Sequence, residues 1–77
     1  MTHVAFTVPV AAEVEVALYN VLGQRVRTLV RGPVDAGNHL VRWNGRDDGG
    51  RAVASGVYIV RMESADWASN RKVTLLR

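Results

Sequence analysis

Residues 43–62 have the sequence WNGRDDGGRAVASGVYIVRM, which predicts the end of one strand, a glycine-rich corner and a second strand. Asn44-Gly45 and Asp48-Gly49-Gly50 supply the positive-φ positions that a reversing backbone needs. Residues 57–62 form a run with an apolar or aromatic side chain at nearly every position. Because strands that are apolar on both faces are typical of covered sheets, we predict that this strand is buried on both sides at the centre of a small sandwich.

Five further stretches alternate apolar and polar side chains with the period of a half-buried strand: residues 3–8, 13–19, 25–30, 39–43 and 71–76. Leu29 breaks the alternation of the third predicted strand, so either a bulge shifts its phase or both of its faces are covered. Gly32-Pro33 and Ala36-Gly37 are expected to bound a loop, and a short seventh strand fits either residues 51–53 or residues 31–37. The sequence therefore predicts an all-β, Ig-like (immunoglobulin or fibronectin III-like) antiparallel β-sandwich of six to seven strands.

Length and composition are typical of one small globular domain, which we assign to residues 1–77. The chain has no cysteine, which excludes disulfides and thiolate metal sites, and its apolar stretches are too short to span a bilayer. The net charge is +3, but the basic residues are scattered among seven acidic ones, which argues against nucleic-acid binding. Met1 is followed directly by a predicted strand without the features of a signal peptide. We therefore expect Met1 to be an added start residue and the chain to be a domain cut from a larger protein.

Catalytic chemistry has little support in the sequence. Nucleophilic catalysis needs a nucleophile, a base and an orienting group within hydrogen-bond reach, and the sequence around Ser55 does not have the form of a nucleophile elbow. His39 shares a strand face with Val41 and Trp43, so we interpret it as a structural histidine rather than a base. We expect no catalytic residue, no enzyme activity and no cofactor.

Two weaker candidates for a binding site remain. Asn44, Asp47 and Asp48 crowd the glycine-rich corner with the oxygen ligands that calcium prefers, although the same residue types form turns by hydrogen-bonding their own backbone. Trp67 lies in a polar connection, where it is a possible exposed platform for carbohydrate or a cap on the end of the core. Turn formation and capping are the preferred interpretations of these residues.

Residues 14–62, together with the closing RKVTLLR of residues 71–77, resemble the C-terminal sorting domain (type A) of the type IX secretion system. They are also similar to the Ig-like domain of the flagellar hook-capping protein. Both resemblances rest on short segments in a fixed order: Tyr19-Asn20-Val21-Leu22-Gly23, Ala36-Gly37 with Trp43-Asn44-Gly45, Ser55-Gly56-Val57-Tyr58, and Arg71-Lys72-Val73.

The resemblance to sorting domains implies a seven-stranded Ig-like sandwich without catalysis that follows a passenger protein. It implies that secretion machinery in the outer membrane recognises the domain, and that the passenger crosses the periplasm to reach the cell surface or the medium. The signal residues carried over by this resemblance are Gly56, Val57 and Tyr58 on the central strand, and Lys72 and Val73 on the last strand. The alternatives are a passive Ig-like accessory domain that mediates protein or glycan contacts beside an enzyme, and a structural domain of the hook-capping type.

We further expect the last strand to pair with the strand at residues 57–62 as a hairpin through residues 64–69. This pairing would place Tyr58 and Lys72 on neighbouring strands of one sheet. If the last strand lies at the edge of that sheet, main-chain pairing with a receptor is a plausible mode of docking.

Overall fold

The computed structural model describes residues 2–76, which form two antiparallel sheets. Its strands, in chain order, are β1 (Thr2–Val8), β2 (Ala12–Tyr19), β3 (Arg25–Val34), β4 (Gly37–Trp43), β5 (Gly56–Glu63) and β6 (Ala68–Leu75). Sheet A contains β1 and β4, and sheet B has the order β3-β2-β5-β6. The predicted all-β antiparallel sandwich is confirmed, with six strands in the described part of the chain.

The core lies between the two sheets and is built from the inward positions of alternating strands. In β1 every second residue is buried, as the period of a strand with one covered face requires. Trp43, Leu18 and Val16 are completely enclosed. The buried apolar side chains of the core are Val4, Phe6, Val8, Val14, Val16, Leu18, Trp43, Tyr58, Val60, Met62 and Leu75.

Strand β5 lies between β2 and β6 within sheet B, but the prediction that it is buried on both faces is wrong. Tyr58, Val60 and Met62 point into the core, whereas Val57 is 44% exposed and Ile59 is half-buried. The reason is that sheet A covers one side of sheet B, and no other described strand covers the opposite side. The apolar outward residues of β5 therefore lie on a surface and not in a second core layer.

A bulge explains the broken alternation of β3. Val16 of β2 pairs with Val30 and the next β2 residue, Ala17, pairs with Thr28, so that Leu29 is the extra residue. An extra residue shifts the phase of the strand, and a second register shift, between Leu18 and Tyr19 of β2, leaves Val26 unpaired in the same way. Of the two interpretations of Leu29, the bulge is the one that is confirmed.

The stretch predicted as a loop between the third and fourth strands is mostly strand. β3 continues through Gly32-Pro33 to Val34, and β4 begins at Gly37. Proline is compatible with β3 because an edge strand does not need an N–H donor on its outer side. Residues 31–37, one of the two positions considered for a seventh strand, therefore lie mostly in β3 and β4. Residues 51–53, the other position, contribute a single β-bridge between Arg46 and Ala52.

The predicted hairpin of β5 and β6 is confirmed, and β6 is an edge strand of sheet B. Tyr58 pairs with Val73, and Lys72 pairs with Ile59. Strand β1 of sheet A lies beside β6 of sheet B along one side of the sandwich. There the Arg71 side chain reaches the carbonyl oxygen of Ala5. The fold therefore leaves two strand edges facing each other across a groove.

Candidate functional site

The two carboxylates of the glycine-rich corner accept hydrogen bonds from the backbone. Asp47 Oδ1 accepts the N–H groups of Gly49 and Arg51 at 3.0 and 2.9 Å. Asp48 Oδ1 accepts the N–H group of Thr28 in β3 at 3.1 Å, which ties the corner to sheet B. The bonds of Asp47 are those of a turn-forming residue, whereas the bond of Asp48 joins the corner to a distant strand.

Asn44, the third calcium candidate, has a similar environment. Its Oδ1 accepts the backbone N–H of Arg46 at 3.1 Å and lies 3.4 Å from a guanidinium nitrogen of Arg27. A cation next to a ligand oxygen disfavours a bound metal ion. Within residues 2–76 no group of three or more His, Cys, Asp or Glu side chains is arranged to hold a metal. The calcium site stays a prediction, and titration tests it.

Trp43 and Tyr58 connect the corner to the core. Their rings meet edge to face, with centroids 5.1 Å apart and an interplanar angle of 78°. Trp43 Nε1 donates to the carbonyl oxygen of Arg46 at 3.0 Å, and the Tyr58 hydroxyl donates to the carbonyl oxygen of Ala54. A tyrosine that bonds back to the chain a few residues upstream is a recurrent feature of Ig-like sandwiches. Both aromatic rings thus fix the path of the chain into β5.

Three of the five signal candidates, Gly56, Tyr58 and Val73, determine how the hairpin of β5 and β6 packs against the core. Tyr58 and Val73 pair across β5 and β6; the tyrosine is buried, and the valine is half-buried against the core. Gly56 begins β5 with a φ of 151°, which L side chains rarely adopt. These three residues therefore determine the position of the hairpin and are poorly placed to contact a partner directly.

The other two signal candidates, Val57 and Lys72, lie on the outer face of sheet B. Val57 pairs with Thr74, and Lys72 pairs with Ile59 two positions further along the ladder, so that both point to the same face. Both Val57 and Lys72 are exposed. The structure thus brings all five candidates onto adjacent strands, but it divides them between the core and the surface.

Trp67 borders the groove between β1 and β6, which has a volume of about 400 Å³. The indole is half-buried and packs against the core, as the capping interpretation requires. Phe6, Val60 and Met62 line the same groove, and Arg71 reaches across it to the carbonyl oxygen of Ala5 at 3.4 Å. The lining of the groove is mostly apolar, with the hydroxyl residues Thr7 and Ser69 and one cation, Arg71.

His39 has the surroundings of a structural histidine. Its ring stacks on Phe6 with centroids 5.2 Å apart and an interplanar angle of 19°. Its Nε2 lies 2.8 Å from the carbonyl oxygen of Asp35, which holds the ring at the start of β4.

The outer face of β2 and β3 is occupied by ion pairs. Arg25 donates to Glu15 at 2.7 Å and to the Tyr19 hydroxyl at 3.1 Å, and Arg31 lies 3.5 Å from the same glutamate. The hydrogen bond to Tyr19, followed by that to Glu15, raises the pKa of Arg25 above its ordinary value. Because a raised pKa of a base stabilises the fold at every pH below the unfolded-state value, this contribution does not change in the neutral range. Arg25 therefore contributes a permanent positive charge to this surface.

A family model for the FlgD Ig-like domain matches residues 2–67 of this sandwich. The chain belongs to the FlgD Ig-like domain family. This membership confirms the similarity to the Ig-like domain of the hook-capping protein. No curated protein and no solved structure matches the chain.

The match to the FlgD Ig-like domain covers β1 to β5 and ends at Trp67, immediately before β6. Strand β6 nevertheless contributes Leu75, which is 3% exposed, to the core. The strand that contains Lys72 and Val73 is thus part of the sandwich although it lies beyond the matched residues. Within residues 2–76 no helix is long and apolar enough to cross a membrane.

Sequence reasoning missed Arg71 as a groove residue of this FlgD-type domain. Residues 71, 73 and 75 share one face of β6 by alternation, and the apolar side chains of Val73 and Leu75 mark this face as the inner one. The same alternation places Arg71 on the inner face. What the pattern does not show is that this part of the inner face opens to solvent beside β1.

The turn between β2 and β3 is held together by the side chain of Asn20. Asn20 Oδ1 accepts the backbone N–H groups of Leu22 and Gln24, both at 3.0 Å. The turn holds Val21 and Leu22 at its tip, where they are 74% and 81% exposed. An Asn that bonds to the backbone two residues ahead is a known turn former, so the signal was present in the sequence.

Proposed function

We propose that this FlgD-type Ig-like domain is a non-catalytic sorting signal that directs an upstream passenger protein across the outer membrane through the type IX secretion system. The passenger then remains at the cell surface or is released. The observation that supports this proposal is the position of β6. This strand continues the domain beyond the FlgD match and forms an edge strand beside the Gly56-Val57-Tyr58 segment.

The hairpin of β5 and β6 has the physical properties that a sorting signal needs. Tyr58 and Val73 pack against the core, so that the hairpin has one defined conformation. Val57 and Lys72 lie exposed on its outer face, where a partner can contact them. A free strand edge and a defined pattern of side chains together allow recognition by main-chain pairing with sequence specificity.

The test is a fusion of a periplasm-compatible reporter to the N-terminus of residues 1–77, expressed in a cell with a functional type IX system. We expect the reporter at the cell surface or in the medium, and we expect it in the periplasm when the outer-membrane translocon is deleted. Retention of the reporter in the periplasm of the competent cell would contradict the proposal.

A paired set of variants tests the outer face of the hairpin. Lys72→Glu combined with Val57→Glu should retain the reporter in the periplasm, because both changes lie on the exposed face of β5 and β6. Arg42→Glu combined with Leu40→Glu is the matched control, since both residues are exposed on β4 of the other sheet. Equal export of the two double variants would show that the outer face of the hairpin is not recognised.

The family match also favours a second function, that of a structural or accessory Ig-like domain which mediates contacts within a larger protein or assembly. Deletion of the domain distinguishes the two functions. Loss of surface delivery supports sorting, whereas normal delivery with loss of a binding activity supports the structural or accessory role.

A further inference from the structure

The edge of β1 that faces the groove is not paired with another described strand. In residues 2–76, β1 pairs with β4 along one side and with no strand along the other. The carbonyl oxygen of Ala5 points to the groove, because it lies 3.4 Å from the Arg71 side chain. By the alternation of an antiparallel strand, the main-chain groups of His3 and Thr7 point the same way. A strand edge without a partner strand is a template for one more strand.

The groove beside this edge has a positive and apolar character. Its lining contains the aromatic and aliphatic side chains of Phe6, Val60, Met62 and Trp67, and no acidic residue. The salt bridges found among the described residues belong to Arg25, Arg31 and Arg61, so the charge of Arg71 is not neutralised by them. The volume of about 400 Å³ lies in the range of ligand sites.

We propose that the groove between β1 and β6 binds an extended acidic segment of a partner protein. The segment adds to the free edge of β1 by main-chain hydrogen bonds and places an apolar side chain in the groove. One of its carboxylates replaces the weak contact of Arg71 with the Ala5 carbonyl by a charge-assisted hydrogen bond. This inference concerns binding alone and does not depend on export.

The probe for this site is the capped peptide Ac-VTETVT-NH2, in which valine and glutamate alternate with threonine so that they share one face of a strand. It is titrated into the 77-residue chain and followed by two-dimensional amide NMR. We expect shift changes at the amides of His3, Ala5, Thr7 and Arg71. The matched peptide with lysine in place of glutamate should bind about tenfold more weakly, since it loses one hydrogen bond between charged groups.

Variants of the protein test the role of Arg71. Arg71→Glu should weaken binding of the glutamate peptide about tenfold and should restore binding of the lysine peptide. Arg51→Glu is the control for net charge, because Arg51 is exposed in the corner between β4 and β5 and does not line the groove, and it should leave both affinities unchanged. Retained amide NMR dispersion in each variant establishes that the fold is intact.

A second pair of peptides tests the strand edge. N-methylation of the amides that would face β1 should abolish binding, whereas N-methylation of the amides on the opposite edge should not. Absence of binding by the glutamate peptide, shift changes confined to another surface, or equal binding of the two methylated peptides would each overturn the proposal. Equal affinity of the glutamate and lysine peptides for the unmodified chain would overturn it as well.

Discussion

At the scale of the residue, Tyr58 connects the core to the corner that precedes β5. Its ring is 7% exposed, and its hydroxyl donates to the Ala54 carbonyl. We expect Tyr58→Phe to lower the free energy of unfolding by about 1 kcal/mol, because the carbonyl loses its donor while the packing of the ring is kept. Urea denaturation followed by circular dichroism measures this difference.

Tyr19 is the matched control for Tyr58. Its hydroxyl interacts with Arg25 on the outer face of sheet B, where water can replace it. Tyr19→Phe should therefore change the free energy of unfolding by less than about 0.5 kcal/mol. Equal losses in the two variants would mean that the hydroxyl of Tyr58 has no special role in the corner.

Leu18 and Leu22 provide a second comparison between single residues. Leu18 is 0% exposed in the core, whereas Leu22 is 81% exposed at the tip of the turn between β2 and β3. Leu18→Ala should cost about 2–5 kcal/mol of unfolding free energy through lost burial and the cavity it leaves. The same substitution at Leu22 should leave the thermal midpoint nearly unchanged. A large loss at Leu22 would show that its side chain is covered in solution.

At the scale of the element, β6 is part of the folding unit although it lies beyond the family match. The family match stops at Trp67, but Leu75 and Val73 of β6 pack against the core. We expect truncation after Trp67 to abolish cooperative unfolding, because it exposes β5 along one edge and removes one wall of the core. Near-ultraviolet circular dichroism and thermal denaturation measure the effect.

Truncation after Leu75 is the control for the shorter chain. It removes Leu76, which is 81% exposed, together with the final arginine. This variant should unfold cooperatively with a midpoint close to that of the full chain. A cooperative transition in the chain that ends at Trp67 would show that β6 is an appendage and not part of the folding unit.

At the scale of the whole molecule, the glycine-rich corner is held by the chain itself. Asp47 and Asp48 accept backbone N–H groups from the corner and from β3. We therefore expect the thermal unfolding midpoint to stay the same when about 10 mM calcium is added, a concentration about tenfold above the dissociation constants of weak extracellular sites. Magnesium at the same concentration is the control for ionic strength. A rise in midpoint specific to calcium would establish the metal site, since a ligand that binds the folded state stabilises it.

Much of the fold follows from alternation along single strands. In β1 the apolar residues at positions 4, 6 and 8 are buried, as predicted, because a strand directs successive side chains to opposite faces. The broken phase at Leu29 was enough to suggest the bulge that β3 contains. The five signal candidates were correctly expected on two paired strands, because a short polar connection between two apolar runs favours a hairpin.

The sequence by itself determined the fold class, the inward face of most strands and the hairpin of β5 and β6, since each depends on residues that are close in the chain. Tertiary structure alone decided that the outer face of β5 is uncovered, that β3 passes through Pro33 as an edge strand, and that β1 and β6 border a groove. These features depend on which distant strands become neighbours. Neighbour order is set by the packing of the two sheets, and the alternation within one strand contains no information about it.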